Sequence, residues 1–140
     1  MVDDVELNHR AAGAVLEDTY ELYMALSAAE AFDILMNVMP DLILLDIVMP
    51  KVDGYKMLKL LKANSVYKHI PVIFLTADNR PETEVEGFNC GIVDFITKPF
   101  EPIVMKKRIE TQIALAEYER GLEAAVEAKV EEIEKMYDLM

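Results

Sequence analysis

The chain has 140 residues, of which 53% are hydrophobic, and a formal net charge of −12; this length and composition allow one domain with an ordinary core. The acidic surplus argues against direct nucleic-acid binding, because such proteins neutralise phosphates with lysine and arginine. A single cysteine excludes an internal disulfide, no apolar stretch is long enough to span a membrane, and the acidic start is unlike a signal sequence. We therefore expect a cytoplasmic protein with protein partners.

Helical and strand patterns alternate along the first half of the chain. Apolar periodicity and turn residues predict helices over 5–17 and 27–40 and strands over 20–26 and 41–46. Asp4 is a candidate N-cap of the first helix. Ser27 and Glu30 form a capping box at the start of the second helix.

The alternation continues through the second half. The predicted elements are helices over 55–63, 82–91 and 102–140 and strands over 71–76 and 92–97. Gly91 is a candidate C′ residue, and a trans peptide bond is expected before Pro99 because cis bonds are a minority before proline. Right-handed crossovers between such strands predict a doubly wound α/β fold with a parallel sheet.

Polar side chains follow several of these apolar runs. Asp3 and Asp4 follow Met1-Val2, Asp46 ends the strand 41–46, Thr76 ends the strand 71–76, and Lys98 follows the strand 92–97. The carboxyl ends of parallel strands meet in one crevice, where ligands bind. Clustered carboxylates repel one another, and a bound divalent cation such as Mg²⁺ relieves the repulsion. The pattern predicts a cation site beside a reactive carboxylate, with the Lys98 ammonium available to a phosphoryl group.

Each of these residues also has a plain structural interpretation. Acidic pairs occur on surfaces and at helix starts, a threonine at a strand end is often structural, and Lys98 could simply form a salt bridge with Asp46. The histidines His9 and His69 are far apart and are expected at the surface, whereas Cys90 is expected to be buried. The convergence of four strand ends favours a functional site.

These motifs resemble the receiver domain of two-component response regulators over about residues 2–118. The matching segments are VDDVELN, PDLILLDIVMPKVDGY, PVIFLTA and DFITKPF. The resemblance implies a flavodoxin-like, five-stranded parallel sheet in the order 2-1-3-4-5. Here the first strand is truncated to Met1 and Val2. In place of a hydroxylated switch aromatic the chain has Phe95, so a signal would pass by ring packing.

The resemblance also implies a role for each site residue. Asp46 would be the phosphoacceptor, supplied by a histidine kinase or phosphotransfer protein. Asp3, Asp4, Asp46 and the main-chain carbonyl of Val48 would hold Mg²⁺. Lys98 would contact the acyl phosphate. Thr76 and Phe95 would form the switch that responds to phosphorylation.

The last helix is longer than this fold requires. Leu115, Leu122 and Met136 share one heptad position and Val126, Ile133 and Met140 another, interrupted by Glu119 and Lys129, with Gly121 as a weak point; this is a weak coiled-coil pattern. We expect residues 1–118 to be the receiver and 119–140 a helical linker that mediates a homodimer, with the output domain absent. The linker is similar to those preceding HD-GYP or GGDEF domains of cyclic-di-GMP enzymes.

Three functions are compatible with these residues. The first is a non-enzymatic phosphoacceptor that switches partner or dimer contacts. The second is a receiver-like scaffold that phosphorylation does not regulate. The third is an aspartate-nucleophile phosphohydrolase, against which stands Val48, at the position where such enzymes carry a second acid.

Overall fold

A computed structural model describes residues 1–78 and 80–139 as alternating helices and strands. In chain order the elements are α1 (Glu6–Leu16), α2 (Ala28–Leu35), β1 (Ile43–Asp46), α3 (Gly54–Ala63), β2 (Val72–Thr76), α4 (Pro81–Cys90), β3 (Asp94–Thr97) and α5 (Pro102–Asp138). Within these ranges no helix is both long enough and apolar enough to cross a membrane. The predicted alternation is thus confirmed, apart from the first two strands.

The described sheet has three parallel strands in the order β1-β2-β3, whereas the sequence predicted five. The other two predicted strands, at Met1-Val2 and over 20–26, are represented by single parallel bridges. Val2 pairs with Ala25 on one side and with Leu45 of β1 on the other. The Val2 amide donates to the Leu44 carbonyl at 2.7 Å, and the Asp46 amide donates to the Val2 carbonyl at 2.9 Å. In the described residues each of these pairings is a single bridge and does not form a strand. The five-stranded order 2-1-3-4-5 therefore remains a prediction.

Helices cover both faces of this sheet. Alternate residues of the strands point to opposite faces, so Leu45 and Phe74 belong to one hydrophobic cluster, and Leu44 and Ile73 to the other. The first cluster includes residues of α2 and α3, and the second includes residues of α1 and α5. This doubly wound arrangement leaves the carboxyl ends of β1, β2 and β3 at one edge.

The local helix signals were partly right. The Ser27 hydroxyl accepts a hydrogen bond from the Glu30 amide at 3.2 Å, which confirms the cap of α2. The prediction that Asp4 caps α1 is wrong: Val5 is the N-cap residue and has no side-chain cap. Helix α2 ends at Leu35 and not at Pro40, because the chain turns before the proline is reached.

Two further predictions concern the second half of the chain. Gly91 follows α4 with φ 105°, the left-handed conformation predicted for it. The peptide bond between Lys98 and Pro99 is cis, so the expectation of a trans bond is wrong; the two isomers differ little in energy before proline, and the surrounding fold decides between them.

Helix α5 extends well beyond the sheet. Its 37 residues correspond to about 55 Å at the usual rise per residue. Only Met105 and Ile109 are buried, and from Glu117 to Leu139 every side chain is exposed. Met140, the last residue of the predicted seam, lies outside the described residues.

Candidate functional site

Three carboxylates come together at the carboxyl end of β1. Oxygen atoms of Asp3, Asp4 and Asp46 all lie within 4.8 Å of one another. Asp46 ends β1 and is buried, Asp3 follows the Val2 bridge and is fully buried, and Asp4 is exposed. The sequence predicted this cluster, and the single Val2 bridge is enough to bring the acidic pair beside Asp46.

Lys98 neutralises part of this charge. Its Nζ atom lies 2.9 Å from Asp3 Oδ2 and 3.2 Å from Asp46 Oδ1. Burial by itself lowers the pKa of Lys98, but the hydrogen bond to Asp3 and the charges of Asp46 and Asp3 outweigh it, and the pKa is raised. The ammonium is therefore held charged between the two buried carboxylates, which is also the salt bridge that a purely structural interpretation expects.

The surroundings of Asp46 raise the pKa of its carboxyl group. Burial raises its pKa, and the negative charge of Asp3 raises it further, against the opposing effects of Lys98 and of the Val48 amide. That amide donates to Asp46 Oδ1 at 3.3 Å. The Asp46 carboxylate is thus in surroundings that carry too little positive charge to compensate it fully.

Asp3 is fixed by contacts from the start of α1. Its Oδ1 accepts from the Val5 amide at 2.9 Å, and its Oδ2 accepts from Asn8 Nδ2 at 3.0 Å. The imidazole of His9 lies behind it, with Nε2 2.7 Å from the Asp3 carbonyl oxygen and Nδ1 3.0 Å from Met24 Sδ. Val5 and Asn8 thus set the direction of the Asp3 carboxylate, and His9 holds the Asp3 backbone. The sequence did not predict these roles for any of the three residues.

Two expectations about burial are wrong. His9 is buried, although it was expected at the surface. It shares the inner face of α1 with Ala12 and Leu16, and this helical spacing is the signal that could have revealed it. Cys90 is exposed, although it was expected to be buried, because the only buried residue of α4 is Gly87.

Thr76 lies at the same edge of the sheet. Asp46 is paired with Leu75 of β2, and Thr76 is the next residue of that strand. It is buried, and its Oγ1 accepts from the Asp78 amide at 2.9 Å and donates to the Asp78 carbonyl at 3.3 Å. Within the described residues its hydroxyl is therefore engaged by the loop after β2 and not by Asp46.

Phe95 of β3 is buried in the hydrophobic cluster that also contains Phe74. Its ring makes edge contacts with Phe88 and Phe74, with centroid distances of 5.4 and 6.1 Å. Gly87 of α4 lies against the ring, since a Cβ atom added there would be 2.7 Å from Phe95 Cζ. The sequence predicted Phe95 but missed Gly87, whose lack of a side chain makes room for the aromatic ring.

The donor set fits a hard divalent cation. Mg²⁺ takes oxygen ligands in octahedral geometry and is held by a few carboxylates. Three carboxylates meet here, and one ammonium contacts two of them, so the site keeps an excess of negative charge. Val48 is 79% exposed, and the role predicted for its main-chain carbonyl stays a prediction.

The comparisons with known proteins identify the family. A family model described as the response regulator receiver domain matches residues 1–110. A "Probable cyclic di-GMP phosphodiesterase" of Vibrio cholerae is 40% identical over 113 residues, which are 81% of this chain and 26% of that protein. The response regulator Rre1 of Synechocystis is 34% identical over 137 residues, 95% of this chain and 58% of that protein. The chain thus spans between a quarter and three fifths of the length of these two relatives.

Solved structures agree with this match. The signal receiver domain of a signal transduction histidine kinase from Syntrophus aciditrophicus superimposes with a TM-score of 0.72 at 32% identity, over 81% of this chain and 86% of that one. The chemotaxis protein CheY4 of Vibrio cholerae gives a TM-score of 0.73 at 30% identity, over 79% and 92%. The chain has the flavodoxin-like receiver fold with an extended C-terminal helix, and it belongs to the response regulator receiver domain family.

Proposed function

We propose that Asp46 accepts a phosphoryl group from a histidine kinase or phosphotransfer protein, and that the chain is a regulatory domain and not an enzyme acting on its own substrates. One observation carries this proposal: the buried Asp46 carboxylate lies with Asp3 and Asp4 within 4.8 Å, and Lys98 contacts both buried members of the cluster. A nucleophilic oxygen, a cation site and an ammonium are thus within reach of one phosphoryl group.

The transfer requires little covalent chemistry from the protein. A carboxylate oxygen of Asp46 attacks phosphorus in line, the bond from phosphorus to the donor breaks, and the donor leaves with the electron pair. Lys98, held charged at the site, stabilises the negative oxygens of the transferred group. Asp3, Asp4, Asp46 and the carbonyl of Val48 would hold Mg²⁺, which when bound supplies further positive charge to those oxygens.

Phosphorylation with a small phosphodonor tests this assignment. We expect the full chain, treated with acetyl phosphate and Mg²⁺, to gain one acid-labile phosphoryl group detected by intact mass. Asp46→Asn should reduce the yield at least about a hundredfold, because an amide oxygen is a far weaker nucleophile. Asp33→Asn, at an exposed position of α2, is the matched control and should be phosphorylated normally. Undiminished acid-labile phosphate on Asp46→Asn would refute the proposal.

Thr76 and Phe95 are the proposed switch. A phosphoryl group on Asp46 offers the Thr76 hydroxyl a charged acceptor that is stronger than the Asp78 carbonyl. Movement of Thr76 changes the volume beside Phe95, and the ring repacks against Phe88. Thr76→Val keeps the shape without the hydroxyl, so it should accept phosphate while losing the phosphorylation-induced change in the Phe95 ring resonances. An unaltered change in that variant would remove Thr76 from the switch.

The output is proposed to involve cyclic di-GMP. The support is the similarity to the probable cyclic di-GMP phosphodiesterase of Vibrio cholerae and the long helix that follows the receiver. Fusing residues 1–140 in place of the receiver of that relative, and measuring cyclic di-GMP hydrolysis with and without acetyl phosphate, tests the idea. Hydrolysis that does not respond, while Asp46 is phosphorylated, would contradict it.

We also propose that the chain acts in the cytoplasm as a homodimer joined through α5. An isolated exposed helix is marginal in water, and apolar side chains along it favour pairing. Sedimentation of residues 1–140 against residues 1–114 is the test, with a dimer expected only for the longer chain. A full chain that remains monomeric at tens of micromolar, roughly the range of −6 to −7 kcal/mol of association, would contradict the dimer.

A further inference from the structure

The exposed half of α5 carries one apolar stripe, defined here as Leu115, Tyr118, Leu122, Val126, Val130 and Ile133. All six side chains are exposed. Their spacing is 3, 4, 4, 4 and 3 residues, which is 18 residues in five turns and therefore the period of a straight α-helix. The predicted heptad seam required Glu119 and Lys129 at core positions, whereas this stripe contains only apolar residues.

The spacing of the stripe is the same in both chain directions. Its midpoint is Ala124, and residues equally far from it form the pairs Leu115 with Ile133, Tyr118 with Val130, and Leu122 with Val126. A second copy that runs antiparallel therefore presents an apolar side chain at every level where the first copy does. Such a contact is isologous, because the same patch of both copies is used about a two-fold axis.

The two charged residues beside the stripe select the same alignment. Glu119 and Lys129 are also equally far from Ala124, so in the antiparallel pair each Glu119 lies opposite Lys129 of the second copy. In a parallel pair in register, Glu119 would face Glu119 and Lys129 would face Lys129, which is repulsive. A slip of one turn would set Lys129 against Leu115, or Glu119 against Ile133.

From this complementarity we infer that α5 pairs with a second copy of the chain in antiparallel orientation, centred on Ala124. The inference rests on the proposed homodimer and specifies its orientation. Among the described residues of one chain, the contact of Lys129 is an exposed ion pair with Glu132, at 3.4 Å between Nζ and Oε2, and such pairs hold a side chain weakly. Lys129 is therefore available to the carboxylate of the second copy.

The receiver domain leaves room for this partner. At about 100° per residue, the stripe is turned roughly 100° around the helix from Met105 and Ile109, the residues that pack on the sheet. The second helix can pass beside the receiver without entering its core. In this alignment Tyr137 of the second copy reaches the level of Thr111, which is exposed.

Charge reversal distinguishes the antiparallel from the parallel dimer. By sedimentation equilibrium of the full chain, Glu119→Lys and Lys129→Glu should each weaken the dimer by roughly tenfold, because each sets like charges opposite one another at two places. The double variant should return to within about threefold of the wild type, because the opposite charges meet again. A parallel dimer has like charges at both levels in all four proteins, so none of the changes would matter.

The controls make the same charge changes on the opposite face of the helix. Glu131→Lys and Lys135→Glu lie about 160° from the stripe and should leave the dissociation constant unchanged. Single variants that dimerise like the wild type, or a double variant that does not recover, would overturn the antiparallel orientation. A monomeric wild type would overturn the dimer itself, and neither result affects phosphorylation of Asp46, which is measured separately by mass.

Disulfide trapping provides a second measurement. In a Cys90→Ser background, we expect the Leu115→Cys and Ile133→Cys proteins to form no cross-link alone and a disulfide-linked dimer when mixed and oxidised, because these positions lie opposite one another. Cross-linking of each protein with itself and not with the other would show a parallel pair and overturn the inference.

Discussion

The carboxylate edge of the receiver and the exposed half of α5 differ in what surrounds their side chains. At the edge, two buried carboxylates are held by neighbours: Asp3 by Lys98, the Val5 amide and Asn8, and Asp46 by Lys98 and the Val48 amide. In the described residues no buried side-chain nitrogen or oxygen lacks a hydrogen-bond partner. Along the exposed half of α5, in contrast, the apolar side chains are exposed to solvent.

The difference indicates which part of the chain would be stabilised by contact with another molecule. At the carboxylate edge, the contacts that hold Asp46 all come from the same chain. Binding of a phosphoryl group or a cation would change the net charge at this edge only. The exposed stripe gains stability only when a second surface covers it. The proposed phosphoryl transfer and the proposed pairing thus use different parts of the chain, the carboxylate edge of the sheet and α5, and substitutions should affect them separately.

The largest effect on stability is expected from Lys98→Ala. Loss of the ammonium leaves the buried carboxylates of Asp3 and Asp46 together without a cation, and breaking such a buried pair costs about 3 kcal/mol. Denaturant unfolding measures this, with exposed Lys59→Ala as the control of little effect. Added Mg²⁺ should restore part of the loss by binding the folded state, and phosphorylation should be impaired. Equal unfolding midpoints for Lys98→Ala and the wild type would show that the ion pairs are not stabilising.

Gly87→Ala should have the next largest effect. The added Cβ atom would lie 2.7 Å from Phe95 Cζ and 2.8 Å from Ile92 Cδ1, and overpacking of this kind costs about 1–3 kcal/mol. Gly121→Ala is the matched substitution on the free helix, where a Cβ atom meets nothing within 4 Å. There the change should leave the unfolding of the receiver as it is while raising helix content. If Gly87→Ala were as stable as the wild type, Phe95 would not be confined by α4.

A smaller effect of opposite sign is expected for Asp46→Asn. Burial and the charge of Asp3 raise the pKa of Asp46 in the folded chain, so the ionised form is less favourable there than in the unfolded chain. Removing the charge should raise the free energy of unfolding at neutral pH by about 1 kcal/mol. The gain is full above the raised pKa of Asp46, and it declines as the pH falls through that pKa, since the wild-type carboxyl is then neutral as well.

Unfolding at several pH values, with Mg²⁺ absent, checks this prediction. With Mg²⁺ present the wild type should gain more stability than Asp46→Asn, because the variant lacks one of the three carboxylates. A gain that grew toward low pH would have the wrong sign and would mean that Lys98 more than compensates the charge of Asp46.

Motifs within short segments were readable from the sequence. Asp46, Thr76 and Lys98 each follow an apolar run, and that pattern alone predicted that they meet at one edge of a parallel sheet. The cap at Ser27 and the left-handed Gly91 are local features too, since they depend on residues only a few positions away. What the sequence could not supply were contacts between distant segments, such as the packing of Gly87 on Phe95 or of His9 behind Asp3.

The sequence by itself determined the alternation of helices and strands, the identity of the carboxylate cluster and the presence of a long, partly apolar final helix. Tertiary structure decided the rest: that the predicted strand 20–26 joins the sheet only by the bridge at Ala25 in the described residues, that His9 is buried and Cys90 exposed, and that the peptide bond before Pro99 is cis. These outcomes depend on which surfaces meet in three dimensions. Local propensity cannot encode that, because burial and pairing are properties of two segments and not of one.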